Sequence, residues 1–227
     1  MSHHILGQAR KGLPGFQLIL FDSGAAGGNS PKQLSRMMDT NAPKIFDDNQ
    51  YRIVTTAEGY LELNMPAEAH EELMYAHSAF LATPTVLLLK IEIYRAMHQW
   101  PAMQNTAERL LENEPHNVAR WILCAEAIAL NDSMRTQEDS FRMAILLLGC
   151  GLNRFAVIPG LSCPENAALH LEIARYRFEL GEIDLVRVNF AFAFNADRSA
   201  RPLDTDSSEF RELWYRVNTP VAFRTAQ

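Results

Sequence analysis

From residue 50 onward, apolar residues recur at three- and four-residue spacing in stretches of helical length, separated by short polar or proline-containing breaks. The pattern predicts a helix over 51–63, a break at Asn64, Met65 and Pro66, and a partner helix over 67–82. Pro66 suits the first turn of that partner, where its missing N–H costs nothing. Helices over 85–97 and 101–114 follow, joined at His98, Gln99 and Trp100 and closed by Pro115. A third pair begins at Val118, turns near Asn131 and Asp132, and continues over 137–148. The fourth pair covers 167–180 and 183–195 with Gly181 at its turn, where glycine supplies left-handed geometry without a Cβ penalty. Ser207 or Ser208 then caps a last helix, whose Phe210, Leu213, Trp214 and Val217 sit at helical spacing and would cover the end of a stack.

These pairs share a register. Ala57, Ile91 and Ala125 are 34 residues apart, as are Tyr60, Tyr94 and Ile128, and Pro115 falls where one unit must give way to the next. Together with Trp100, Ala69, Ala76 and the Leu110-Leu111 pair, these positions resemble the tetratricopeptide repeat family. The likeness covers about 50–198, and it implies an all-α, right-handed α-solenoid of three to four helical hairpins with a C-terminal capping helix. The units fall at 50–83, 84–117, 118–151 and 167–198, with an irregular insertion at 149–166 rich in glycine and proline and a cap and tail at 199–227. Where the family usually has glycine between paired helices, Asn64, His98 and Asp132 stand here, and Asn and Asp tolerate left-handed geometry better than His.

Residues 1–49 lack the pattern. Gly24 to Ser30 sustains neither helix nor strand, Phe16 to Phe21 is strand-like in composition, and Pro31 to Asp39 has the make-up of a short helix. The expected organisation is thus a flexible arm ahead of the array.

Charge narrows the function class. A net charge of −6 and no Lys/Arg run beyond Arg10-Lys11 argue against nucleic acid and for a basic partner. Three cysteines without a CxxC pair suggest neither a disulfide framework nor zinc, and they point to a reducing compartment, the cytoplasm. No apolar run approaches the ~18–20 residues that span a bilayer, so no membrane partner is expected. A secretory signal is disfavoured because Gln17 interrupts an apolar core that is already short. Nothing in the pattern sets an oligomeric state or implies a cofactor.

In the family, the first helix of each hairpin lines a concave groove, so the resemblance places a ligand there. The register then names an apolar row of Val54, Leu88, Ile122 and Leu171 and, one turn on, an acidic row of Glu58, Glu92 and Glu126 with Arg175 in the fourth unit. Arg95 belongs to the same surface. An apolar row beside an acidic one suits a basic or amphipathic peptide or helix. The family's basic clamp for chaperone C-termini is not implied, because its positions carry Val54, Glu58, Leu89, Ala119 and Leu123. The expectation is a non-enzymatic scaffold or adaptor for protein or peptide, with a chaperone-like role as one form. The alternative is an array autoinhibited by, or presenting, residues 16–21 of its own arm.

Three enzyme-like fragments lack their partners. Asp22-Ser23-Gly24 has an aspartic-protease look but no second aspartate in a β-fold. Gly24 to Ser30 has no lysine of a phosphate loop, and His70-Glu71-Glu72 meets Met74 where a zinc helix needs a second histidine.

Overall fold

A computed structural model of the chain describes residues 48–131, 136–155 and 163–218, and these form ten helices and no strand. The arm, with residues 16–21, and the Asp132 turn lie outside the described residues. α1 (Asp48–Glu62) pairs with α2 (Pro66–Leu73) and the single turn α3 (Ser78–Leu81). α4 (Pro84–Ala96) pairs with α5 (Trp100–Asn113), α6 (Val118–Leu130) with α7 (Gln137–Arg154), and α8 (Pro164–Glu179) with α9 (Ile183–Ala196). α10 (Ser208–Asn218) follows. Pro66, Pro84, Pro101 and Pro164 all lie in first turns, where the N–H they lack has no intrahelical acceptor. Asn64, His98 and Gly181 adopt φ of 58°, 55° and 72°, so the left-handed turn forms even at the histidine. His98 holds this conformation edge-on to the Trp100 ring, 5.2 Å away.

Packing is local along the chain. Each helix lies chiefly against its sequence neighbours, with α2 also on α4 and α6 on α8. The first helices α4, α6 and α8 are buried on two faces. α4 turns Val86, Leu89 and Ile93 toward the α1–α2 hairpin, and Leu87 and Ile91 toward α5 and α6. α6 gives Leu123, Cys124 and Ala127 to the core behind it, and Trp121, Ala125 and Ala129 to the one ahead. α8 repeats this with Leu169, Ile173 and Tyr176 behind, and Ala167 and Ala174 ahead. Four cores result, one after another. The 34-residue register survives as burial: Ile53, Leu87 and Trp121 are buried, as are Ala57, Ile91 and Ala125, Leu73, Ala107 and Phe141, and Ala76, Leu110 and Ala144. α10 closes the last core through Phe210 and Trp214, whose rings meet Phe190 edge-on at 4.9 and 5.0 Å. Ser207 is its cap, the Oγ accepting from the Phe210 N–H at 3.2 Å.

Two expectations need correction. The helix over 67–82 is broken, because after α2 the amides of Met74, Tyr75 and Ala76 bond only three residues back and His77 turns extended at ψ 141°. His77 then caps α3 with its ring Nδ1, and its own N–H donates to Gln50 Oε1 at 2.8 Å, which holds the break against α1. The insertion also starts later than 149, since α7 runs on to Arg154. Gly149 and Gly151 do not stop this helix. A Cβ on Gly151 would sit 3.1 Å from the Trp121 ring, so the glycine lets α7 approach α6, while at Gly149 a Cβ would meet nothing within 4 Å. Gly151→Val is therefore expected to destabilise the protein by about 1–3 kcal/mol through overpacking. Gly149→Ala should stabilise it by about 0.5–1 kcal/mol. Chemical denaturation of both variants measures the contrast, and equal effects would remove the close-approach explanation.

Candidate functional site

The strip of each first helix that faces neither core carries charge. On α4, Glu92 and Arg95 are one turn apart, and Arg95 reaches Glu92 at 2.6 Å through Nη1 and Glu126 of α6 at 2.7 Å through Nη2. On α8, Glu172 and Arg175 have the same spacing and are paired. Arg175 also donates from Nε to Asp206 Oδ1 at 2.7 Å and from Nη2 to Oδ2 at 3.3 Å. Asp206 is set for this by the turn before α10, its Oδ2 accepting from the Leu203 N–H at 2.7 Å. One arginine thus ties α4 to α6, and the other ties α8 to the lead-in of α10.

These groups are out of water. The side chains of Glu126, Glu172 and Asp206 are 8%, 6% and 5% exposed. Two guanidiniums serve four carboxylates, so negative charge is in excess. Burial pushes Glu126 up to about 7; Arg95 opposes the shift, while Glu172 and Glu92 add to it by repulsion. Burial alone would lower Arg175, but Glu172 and Asp206 hold it above its usual value. Tyr176, on the same helix, is buried, and its hydroxyl approaches Glu172 without reaching full hydrogen-bond geometry. Burial first, then the charges of Glu172 and Glu126, raise its pKa. Beside these groups lies a cavity of about 100 Å³, lined among others by Glu126, Phe141, Arg175, Tyr176, Asp206 and Phe210.

Val54 is 2% exposed inside the first core, where the α1–α2 hairpin closes on α4, so it is not a surface anchor. Leu88, Ile122 and Leu171 are half-buried, each against one of the successive cores. Glu58 is half-buried and raised, first by burial and then by Glu62. Glu92, Arg95 and Glu126 are brought together, but Glu126 is spent on Arg95 and is not a free surface charge. Arg175 lies in the second cluster with Glu172 and Asp206. Sequence reasoning passed over Glu172, Tyr176 and Asp206. The first had a signal, since Glu172-Ile173-Ala174-Arg175 repeats Glu92-Ile93-Tyr94-Arg95, with only the third residue changed. Asp206 had none, as it comes from an irregular stretch outside the register.

Comparisons with protein-family models, curated proteins and solved structures find no match to this chain. Its site is therefore read from its own geometry.

Because Glu126 holds its proton more tightly in the folded protein, the stability this confers is full below 4.5 and lost as pH rises through about 7. Glu126→Gln should remove most of that fall in urea-melt stability across this window. A smaller part would remain from Glu58 and Glu179, which burial also raises. An unchanged slope would show that Glu126 titrates as an ordinary surface acid.

Proposed function

We propose that the chain is a non-enzymatic protein–protein interaction module, an array of tetratricopeptide-like hairpins, stacked right-handedly, that holds a partner's peptide or helix against its first-helix face. The observation that carries this reading is the leftover strip. After two faces of each first helix are given to the cores, Leu88 and Ile122 remain half-buried 34 residues apart, with Glu92 and Glu126 one turn on, and Leu171 is half-buried on α8 with Arg175 in that place. A nearest-neighbour stack presents such strips side by side as one extended surface.

The electrostatics favour a basic partner. Glu58 and Glu62 stand one turn apart on α1, a like-charge pair that destabilises a helix, and no cation pairs with either among the described residues. Glu92 adds a carboxylate that is 38% exposed. An adaptor or chaperone-like role in the cytoplasm fits this surface and the three unpaired thiols. No helix of the described residues is long and apolar enough to cross a membrane.

A library of basic amphipathic peptides, read by fluorescence anisotropy, tests the reading. Leu88→Arg and Glu58→Lys, checked by circular dichroism for an intact fold, should each weaken the bound peptides by about tenfold or more, a loss of ~1.4 kcal/mol. Unchanged affinity and selectivity in both variants would overturn it.

A further inference from the structure

Resting on the interaction reading, and naming the chemistry of its anchor, we infer that the cavity between α6, α8 and the turn ahead of α10 receives the cationic head of one lysine or arginine side chain from the partner. Size comes first. At about 100 Å³ the cavity holds a few water-sized groups and falls below the ~300–1,000 Å³ of small-molecule sites, so it suits the end of a side chain and not a metabolite. Its lining supplies both halves of a cation site. Glu126, Glu179 and Asp206 are carboxylates, and Phe141, Tyr176, Phe178 and Phe210 bring aromatic rings, whose faces attract ammonium and guanidinium.

The charge balance points the same way. Arg175 is committed to Glu172 and Asp206, and Arg95 to Glu126 and the more exposed Glu92, so the three buried carboxylates share two guanidiniums, one of them also engaged at the surface. Glu179, exposed at the cavity edge, has no ion-pair partner among the described residues, and partial desolvation holds its carboxyl above the usual range. Tyr176 is an independent sign: it lines the cavity, is 4% exposed, and its buried hydroxyl approaches Glu172 without reaching full hydrogen-bond geometry. A cation entering the cavity relieves the repulsion among the carboxylates. A bare metal ion is the weaker fit, because no group of three His, Cys, Asp or Glu among the described residues is arranged to hold one. A donor with an alkyl stem also uses the aromatic walls.

The test uses the full chain, isotope-labelled, and follows the amides of Ala129, Phe141, Phe178 and Phe210 by NMR. The probes are acetylated, amidated peptides bearing a single arginine or lysine, the same peptides with citrulline or norleucine in that place, and free agmatine and butylamine. The cationic peptides should shift these amides and bind at least about tenfold more tightly than their neutral counterparts. Glu126→Gln should weaken them by about tenfold. Glu179→Gln, which disturbs no ion pair, should weaken them too and keeps the test decisive if the first variant folds poorly.

Equal binding of the neutral peptides, or shifts confined to residues away from the cavity, would overturn the inference while leaving peptide binding by the array in place. Agmatine or butylamine binding as tightly as the peptides would assign the cavity to a free cation and overturn the side-chain claim. Silence of the cavity amides toward every probe would also overturn it, and the library experiment judges the interaction reading separately.

Discussion

Three helices in the middle of this chain, α4, α6 and α8, are each shared between two cores, and most other features follow from that. A helix buried on one face needs an apolar stripe, whereas one buried on two must be apolar over most of its circumference and small where a neighbour comes close. α6 shows the result, with Leu123, Cys124 and Ala127 on one side and Trp121, Ala125 and Ala129 on the other. Its alanines bring neighbouring helices near, and Trp121 fills the space they leave. Each large aliphatic or aromatic side chain so buried contributes about 1.5–3 kcal/mol. Because every such helix supports both neighbours, no hairpin in the middle has a core of its own.

Sharing also limits what remains for function. With two faces used, only a narrow strip of each first helix is left, and in units two to four it is largely charged. Burying three carboxylates, Glu126, Glu172 and Asp206, with two guanidiniums is costly, and removal of one buried partner typically costs about 3–5 kcal/mol because the other charge is stranded. The chain places this cost where α6, α8 and the lead-in to α10 meet, beside a cavity with aromatic walls. Excess negative charge, a poorly paired buried phenol and a small cavity at one seam are hard to explain as packing alone. They make sense as a surface prepared for a cation.

Much of the fold was legible because its signals are local and physical. Asn64, His98 and Gly181 mark the turns, prolines mark helix starts, and the 34-residue register marks the repeat; each acts through backbone geometry or burial period. The register fixes which positions are equivalent but not which way a row faces. Val54 is therefore core, one residue beyond Ile53, while its equivalents Leu88 and Ile122 stay half-buried. His77 and Gly151 were misleading for a related reason. A histidine that caps a turn through its ring, and a glycine kept for contact with Trp121, are decided by tertiary neighbours and not by propensity. The site was legible only in part. The acidic row pointed to Glu92 and Glu126 with Arg95 beside them. That Arg95 is shared with Glu126 one unit away, and that Arg175 is held by Asp206 from the irregular lead-in to α10, follows only from tertiary packing.

Native-state hydrogen exchange tests the shared-helix account most directly, since protection reports how much must open before an amide meets solvent. The account predicts that the amides of Leu123 to Ala127 in α6, held between two cores, are among the slowest in the chain and exchange with a free energy near that of global unfolding. α3 and the C-terminal turn of α10, each packed on one side only, should exchange far faster. Fast exchange in α6 under conditions where α5 or α7 stays protected would contradict it, because the wall between two cores would then be opening while its neighbours stand.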